Sequence, residues 1–429
     1  MAPKRKRNPK NDEYWDSVVG RRSSTRERKP TAKIQAIGMD PDHPTDEQAR
    51  NSPLAAEWAK ARAKEQAQLE KYGVFTKVDK LPEGVKPVDT KWVYTVKRKP
   101  DGSIEKYKAR KVGRGFSQEE GVSYDADQTF AQMMRPETFK ILLVIALHRN
   151  WAIRQWDVVA AYLQALLHHD VYISDINENR ETKYWKLHKA LYELKQAGHE
   201  WYQTLKEILW SAGLEQYLGD KGTYVSTSGD QIIGTHVDDL IGIAPEESTL
   251  DWIEQSIKKT VELEKSGRPT KALGIELLWN NTEVILTQCA LIESIHQRYG
   301  RSGIKSSLPL DERFYASRTD EEQAPQKEYQ SLIGGQLFIA RMTRSEISIH
   351  VNLLGRRAQN PSIHNLEAAR RVLQYLKSTL QKGIVLQKPL NLELKIFADA
   401  SYGDKGETSR SQTRVLTTLG EQPIGWYSR

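Results

Sequence analysis

The chain has 429 residues, of which 38% are hydrophobic and 28% charged, a length that suffices for two to four folded domains. Its single cysteine, Cys289, excludes an internal disulfide, its longest apolar run is too short to cross a membrane, and no secretory signal follows the basic N-terminus. The net charge is +8, and residues 1–35 supply +7 of it, with eleven Lys or Arg against four acids. The rest of the chain carries only +1, so a nucleic-acid groove in the folded part would need local basic patches.

Residues 1–45 are basic, polar and rich in proline, and we predict that they are disordered. The basic run at 3–7 has the composition of a nuclear-import or nucleic-acid-binding segment, although a solvated tail explains it equally well. After this tail, Ser52 and Pro53 predict the start of a helix, with Ser52 as its N-cap, and Gly73 predicts its end.

A hairpin is predicted next, with strands at 92–96 and 104–112 around a Pro-Asp-Gly turn at 100–102. Side chains alternate between the two faces of a strand, so Lys106, Lys108 and Arg110 share one face. This row of cations suits a triphosphate or a nucleic-acid backbone. A solvated strand face is the alternative that the spacing leaves open.

A strand at 151–156 leads to Asp157, and an apolar run at 158–163 follows it. An acid between two such runs is expected to be largely buried, and a buried carboxylate needs a partner. One partner would be a metal ion shared with Asp238; a buried Lys or Arg is the alternative.

The second acidic motif is Asp238-Asp239, between predicted strands at 231–235 and 240–244. We expect the two acids at the tip of a tight hairpin, where neighbouring side chains can serve one site. Buried together they would repel each other and take up protons unless a hard cation such as Mg²⁺ neutralised them. An ordinary Asp-containing turn is the alternative.

The rest of the chain predicts further helices and strands. These are helices near 197–210, 250–257, 289–299, 328–358 and 364–380, a hairpin at 272–287 that turns at 280–281, a polar linker at 301–327, and strands at 394–398 and 424–427. The sequence shows no internal repeat, no Cys/His metal cluster and no Walker-type phosphate loop.

Several of these motifs occur in the order and spacing of one family. The chain resembles the copia-type LTR-retrotransposon polyprotein over about residues 21–429. The matching segments are a basic linker at 21–30, motifs at 91–94, 107–110 and 115–116, the Asp157 motif at 155–163, Leu-Tyr-Glu-Leu-Lys-Gln-Ala at 191–197, Val-Asp-Asp at 237–239, Leu-Gly-Ile-Glu at 273–276 and Arg-Val-Leu-Gln-Tyr-Leu-Lys at 371–377.

This resemblance implies an α+β fold shaped as a right hand of fingers, palm and thumb, followed by a connection region and a truncated ribonuclease H-like α/β segment. The implied divisions are a disordered basic tail at 1–45, fingers and palm at 46–245, the end of the palm and the thumb at 246–310, a helical connection at 311–390, and the truncated segment at 391–429.

The resemblance also implies an RNA-directed DNA polymerase that adds dNTPs to a DNA or RNA primer on an RNA template. The polymerase would use two Mg²⁺ ions, or two Mn²⁺ ions instead. Two-metal sites hold their ions about 3.5–4 Å apart. The implied roles are catalysis and metal binding for Asp157, Asp238 and Asp239, triphosphate binding for Lys108 and Arg110, deoxyribose stacking for Tyr162, a place in the nucleotide pocket for Gln196, and the primer grip for Leu273 and Gly274.

In the final segment, Asp399 would be the first metal-binding acid of the ribonuclease H domain, but the further acids of that domain are absent, so we predict no ribonuclease H activity. We expect a cytoplasmic protein of virus-like particles, a nuclear one, or both, with no membrane association. The sequence does not predict an oligomeric state.

The chain departs from the family pattern near its motifs, which indicates a diverged or decaying copy. A catalytically inactive fragment that retains only template–primer binding is therefore the alternative function; a two-metal nuclease has little support. In these departures, His236 replaces an aromatic residue, Ala165 replaces Gly, and Arg414 replaces Gly. Glu193 replaces Gly, Gly198 replaces Pro, His199 replaces Arg, and Ser345-Glu346 replaces Pro-Asp.

Overall fold

The computed structural model describes residues 42–98, 103–176, 182–280, 282–301, 306–310, 322–401 and 412–428. Four sequence predictions therefore lie wholly or largely outside the described residues. They are the disordered tail with its basic run, the turn at 100–102, residue 281 of the predicted turn at 280–281, and most of the linker at 301–327. No described helix is long and apolar enough to cross a membrane.

Helices and strands alternate along the described chain. The helices are α1 (Asp46–Asn51), α2 (Ala55–Lys71), α3 (Pro136–Arg149), α4 (Ala161–Gln164), α5 (Ala197–Ser211), α6 (Glu247–Lys258), α7 (Cys289–Tyr299), α8 (Gln326–Met342), α9 (Ser348–Gly355) and α10 (Ile363–Ser378). The strands are β1 (Phe75–Val78), β2 (Val88–Arg98), β3 (Ile104–Gly113), β4 (Ala152–Val158), β5 (Tyr172–Ile176), β6 (Thr182–Leu187), β7 (Leu214–Gln216), β8 (Thr223–Ser226), β9 (Ile232–His236), β10 (Asp239–Ala244), β11 (Leu263–Gly267), β12 (Lys271–Ala272), β13 (Ile275–Trp279), β14 (Glu283–Thr287), β15 (Ile384–Gln387), β16 (Leu394–Ser401), β17 (Gln412–Leu419) and β18 (Gln422–Ser428).

The predicted start of the first helix at Ser52 is wrong. A capping box formed by Thr45 and Gln48 begins α1 earlier, and Ser52 is the C-cap of that helix, with extended backbone at ψ 159°. Proline disfavours helical backbone in the residue before it, so Pro53 ends α1 at this point. The next helix, α2, begins only at Ala55, and Gly73 follows it at φ 61°, as the sequence predicts.

The first sheet has five strands in the order β1-β6-β5-β2-β3. Its long β2–β3 hairpin packs on α2 through a small separate core. In this core Trp58 makes edge-to-face contacts with Tyr94 and Tyr107, at 5.2 and 4.8 Å between ring centroids. The hairpin that carries the predicted row of cations is therefore anchored to a helix.

The central sheet has six strands in the order β11-β4-β10-β9-β8-β7, and helices cover both of its faces. Trp156 and Leu240 face one core, which α5 and α6 complete. Ile153 and Ile241 face the opposite core, which α3 completes. Alternation along β4 and β10 thus buries apolar side chains on both faces of the sheet.

A four-stranded sheet, β12-β13-β14-β15, joins the core under α3. The predicted strand at 272–279 is interrupted, because Leu273 and Gly274 adopt φ 50° and 74° and form a two-residue hairpin turn. Positive φ at both central residues is the geometry that matches the twist of a tight hairpin.

Helices α7 to α10 form one helical unit between the paired strands β14 and β15. Its core includes Ile292, Leu310, Tyr329 and Leu373, so the helices on both sides of residue 310, where we predicted a division, share one core. The last three strands, β16-β17-β18, form a separate C-terminal sheet that contacts α3 and α9 through β18.

Candidate active site

The central sheet brings the two acidic motifs together. Strands β4 and β10 pair antiparallel, with Asp157 directly opposite Asp239. Residues directly opposite each other in such a pair point to the same face, with Cβ atoms about 4.5–5.5 Å apart. The strands that carry Asp157 and Asp239 therefore lie side by side.

The tip of the β9–β10 hairpin holds only one of the two neighbouring acids. Val237 and Asp238 form the turn, whereas Asp239 is the first residue of β10 and lies opposite His236. Val237 has φ 58°, a conformation that is strained for a β-branched residue. Two hydrogen bonds hold the turn in place: Trp201 Nε1 donates to the Val237 carbonyl at 2.7 Å, and Val158 N donates to the Asp238 carbonyl at 2.8 Å.

The three acids are partly exposed, and their donor chemistry suits a hard divalent cation, which prefers carboxylate oxygens. Gln155 Nε2 donates to Asp239 Oδ1 at 2.8 Å and orients that carboxylate. Within the described ranges, however, no three His, Cys, Asp or Glu side chains converge closely enough to form a ready-made metal site. Metal binding by Asp157, Asp238 and Asp239 stays a prediction.

Two tyrosines connect the acidic turn to the cationic strand β3. Burial raises the pKa of Tyr162, the negative charge of Asp238 raises it further, and Arg110 opposes both effects, so Tyr162 lies within the field of both charged groups. Its ring meets Tyr192 edge to face at 5.9 Å, and the Arg110 guanidinium lies 5.2 Å from the Tyr192 ring centroid. Acid, tyrosines and cation therefore form one continuous surface.

The cationic face predicted for β3 is present, and its charges act on one another. Burial, together with the charges of Arg110, Lys97 and Lys106, lowers the pKa of Lys108 to about 8. Burial also raises the pKa of Glu65 on α2 to about 6, although a hydrogen bond from the Lys111 backbone opposes this shift. In addition, Arg110 Nε is buried without a hydrogen-bond acceptor. Such unbalanced cations are suited to an anionic ligand.

Gln196 is 1% exposed, and both ends of its side-chain amide are used within the protein. Its Oε1 accepts from Gln118 Nε2 and its Nε2 donates to the Ser123 carbonyl, both at 2.9 Å. The structure thus shows Gln196 fastening the loop that follows β3, and it shows no free amide that faces a ligand.

Two of the departures from the family pattern have structural consequences at this site. Glu193 stands in place of a glycine and adopts φ 64°, where residues other than glycine are strained. Its carbonyl would lie only 2.2 Å from a Cβ atom on Gly115, so the two backbones need glycine at position 115. His236, in place of an aromatic residue, leaves its Nδ1 buried without a hydrogen-bond partner.

The remaining predicted residues lie elsewhere. Leu273 and Gly274 form the β12–β13 turn against Phe338 of α8, and Gln288 Nε2 donates to the Gly274 carbonyl at 3.2 Å. Asp399 lies on the C-terminal sheet and pairs in register with Arg414, not with another acid.

Sequence reasoning missed three residues that support the site: Tyr192, Trp201 and Glu65. Tyr192 belongs to a motif that we noted, but nothing in its neighbours indicates contact with Arg110, which lies 82 positions earlier. Trp201 has the spacing of an ordinary helix-core residue, and Glu65 has that of a solvated one. Their roles depend on contacts between distant elements.

Comparison with known proteins identifies the family of this chain. The family profile described as "Reverse transcriptase (RNA-dependent DNA polymerase)" matches residues 72–308. The chain is 32% identical over 361 residues to the retrovirus-related Pol polyprotein from transposon RE1 of Arabidopsis thaliana. This match covers 81% of the chain and 24% of that polyprotein. It is 25% identical over 421 residues to the corresponding polyprotein from transposon TNT 1-94 of Nicotiana tabacum, covering 94% and 31%.

A shorter relative is the putative transposon Ty5-1 protein YCL074W of Saccharomyces cerevisiae, 28% identical over 287 residues, or 64% of this chain and 92% of that protein. The chain therefore spans about a quarter to a third of the long polyproteins that it matches.

Proposed function

Because this chain belongs to the reverse transcriptase family of copia-type Pol polyproteins, we propose that it catalyses RNA-directed DNA synthesis. The observation that carries the proposal is the register of β4 with β10. That register sets Asp157 against Asp239, beside the Asp238 turn, and the two tyrosines extend this surface to Arg110. The substrates would be dNTPs, an RNA template and a DNA or RNA primer.

Asp157 and Asp238 would hold the two Mg²⁺ ions, and Asp239, oriented by Gln155, would complete the ligand set. When bound, the ions would favour the deprotonated primer 3′-hydroxyl and neutralise the leaving pyrophosphate. Mn²⁺ has similar ligand preferences and is the alternative ion. The hydrogen bonds to the Val237 and Asp238 carbonyls would keep the acidic turn against β4.

The chain's other residues would bind and orient the reactants. Arg110 and Lys108 would bind the triphosphate, because both are partly buried cations on one strand face. Tyr162, between Asp238 and Tyr192, would stack under the deoxyribose and exclude a 2′-hydroxyl. Gln196 would shape the nucleotide pocket indirectly, through Gln118 and the loop it fastens. The turn at Leu273 and Gly274 would position the primer.

The second candidate is a catalytically inactive protein that binds template–primer only. The observation that favours it is that the site carries His236, whose Nδ1 is buried without a hydrogen-bond partner, and a strained Glu193. Either protein would act inside the cell, in virus-like particles or in the nucleus.

Primer extension on an RNA template with dNTPs and Mg²⁺ tests the proposal, with Asp238→Asn as the control. A polymerase would extend the primer and lose extension in the control. Fluorescence anisotropy with labelled template–primer would separate the alternatives. Tight binding without extension would support the inactive protein, and the absence of both would contradict both functions.

A further inference from the structure

The turn between β12 and β13 is connected to the helical unit through one buried side chain. Gln288, the residue directly before α7, is 1% exposed. Its Nε2 donates to the Gly274 carbonyl of the turn at 3.2 Å, and its Oε1 accepts from the Thr343 hydroxyl at 2.8 Å. Thr343 is the residue directly after α8. A single amide therefore joins the turn to the ends of two helices of the helical unit.

Burial makes this connection specific. Thr343 is buried as well, so the hydrogen bond between its hydroxyl and Gln288 lies away from bulk water. A buried polar group that loses its partner bears the cost of its lost hydration, which favours keeping both hydrogen bonds. Thr343 thus fixes the orientation of the Gln288 amide, and the amide in turn holds the Gly274 carbonyl.

A second contact fastens the same region to α7. Gln288 occupies the N-cap position of this helix, but its amide bonds to the turn and to Thr343 instead. One of the N–H groups left free in the first turn of a helix is satisfied by Glu276, two residues after Gly274. Glu276 Oε1 accepts from the Ala290 N–H at 3.0 Å. Both ends of this short segment of β13 are therefore tied to the start of α7.

The turn nevertheless keeps an accessible side. Gly274 is exposed and adopts φ 74°, and a Cβ atom added there would lie 3.1 Å from the Phe338 ring of α8. Phe338 is itself 40% exposed. Glycine allows another backbone to approach closely, and an exposed aromatic ring can pack on a sugar or a base. A nucleic-acid strand can therefore reach the turn, whose carbonyl is held from within by Gln288.

We propose that Gln288 is a positioning residue for the primer strand. It would act through the turn and not on the reacting atoms, because its amide fixes the direction in which Gly274 faces. Thr343 makes this hold depend on the helical unit, so a displacement of α8 would move the turn as well. The inference rests on the proposed role of the turn at Leu273 and Gly274 in positioning the primer.

The first test measures the turn itself, in the full chain without a ligand. Gln288→Leu is compared with Gln336→Leu, which removes an equally buried amide whose Nε2 donates to the Ala369 carbonyl of α10 at 2.7 Å. Hydrogen–deuterium exchange of the amides of residues 273–276 should be about threefold to tenfold faster in Gln288→Leu, as expected for the loss of one hydrogen bond, and unchanged in Gln336→Leu. Equal exchange of the turn in the two variants would overturn the proposal.

The second test measures binding by fluorescence anisotropy with two labelled ligands, a template–primer duplex and a single-stranded RNA of the template sequence. Gln288→Leu should bind the duplex about threefold to tenfold more weakly and the single-stranded RNA unchanged, because the turn would contact only the primer. Thr343→Val should show the same pattern with a smaller loss, since Gln288 keeps its bond to Gly274, and it tests the proposal even if Gln288→Leu fails to fold. Thermal melting would show which variants are folded.

The outcomes separate this inference from the proposed function. Equal weakening for both ligands, or duplex binding that neither Gln288→Leu nor Thr343→Val affects, would overturn the positioning role alone. A parent chain that binds neither ligand would overturn the proposed function and this inference with it. Both tests work without catalysis, so a loss of primer extension by itself would not change either result.

Discussion

Two sheets of this molecule carry an acid near the end of an apolar strand, but their surroundings differ. In the central sheet, Asp157 lies opposite a second acid, Asp239, and the neighbouring Trp156 and Leu240 are fully buried. In the C-terminal sheet, Asp399 lies opposite Arg414. There, Ile396 is 65% and Phe397 52% exposed.

This difference teaches that an acid following an apolar run does not by itself indicate a metal site. The neighbouring strand must supply a second acid in register, and covering helices must keep that register. The residue opposite Asp399 is a cation, Arg414, and not a second acid. The absence of ribonuclease H activity stays a prediction for this chain.

The largest expected effect on activity comes from replacing an acid of the central sheet. Asp238→Asn should reduce primer extension by about 10²–10³-fold, as expected when one electrostatic contact to the transition state is removed. Asp399→Asn should leave extension unchanged, because Asp399 lies on the other sheet. Steady-state extension rates of the two variants measure the contrast. A similar loss in both variants would mean that the two acids are not functionally distinct.

The packing next to the candidate site should be less tolerant than that of the helical unit. Gly115→Ala would set a methyl group 2.2 Å from the Glu193 carbonyl, and we expect a destabilisation of about 1–3 kcal/mol. Gly334→Ala on α8 meets no atom within 4 Å and should stabilise the protein by about 0.5–1 kcal/mol. Urea denaturation midpoints that move in the same direction for both variants would contradict this expectation.

The third prediction concerns the cations of strand β3. Because the pKa of Lys108 is about 8, the side chain is charged below that pH and becomes neutral above it. The kcat/KM for dNTP, which reports groups of the free enzyme, should therefore fall by up to about fivefold as the pH rises from 8 to 9. Arginine stays charged, so Lys108→Arg should remove this fall. A fall that persists in the variant would assign the titration to another group.

The smallest effect concerns the strained backbone beside Gln196. Glu193 forms an ion pair with Lys91, 3.1 Å from Nζ to Oε2, but both partners are exposed and the pair contributes little. Glycine adopts φ 64° without strain, whereas alanine does not. Glu193→Gly should therefore be about 1 kcal/mol more stable than Glu193→Ala, both of which lack the ion pair. Thermal denaturation compares the two variants, and equal stabilities would show that the strain is absent.

Prediction from the sequence was most successful where the signal is local. Strands at 231–235 and 240–244 were predicted, and Ile232–His236 and Asp239–Ala244 are observed. It failed at Ser52, where Pro53 ends α1 and the next helix begins only at Ala55, and at Leu273 and Gly274, which form a tight turn inside the predicted strand. The roles assigned to the site residues remain predictions.

The sequence by itself determined the strand alternation that places Lys108 and Arg110 on one face, and the hairpin that carries Asp238. Both depend on backbone preferences that act over a few residues. Only the tertiary structure decided that Asp157 meets Asp239 and that Tyr192 links Arg110 to Tyr162. Such contacts join residues far apart in the chain, and their register is set by how whole cores pack, which no local pattern encodes.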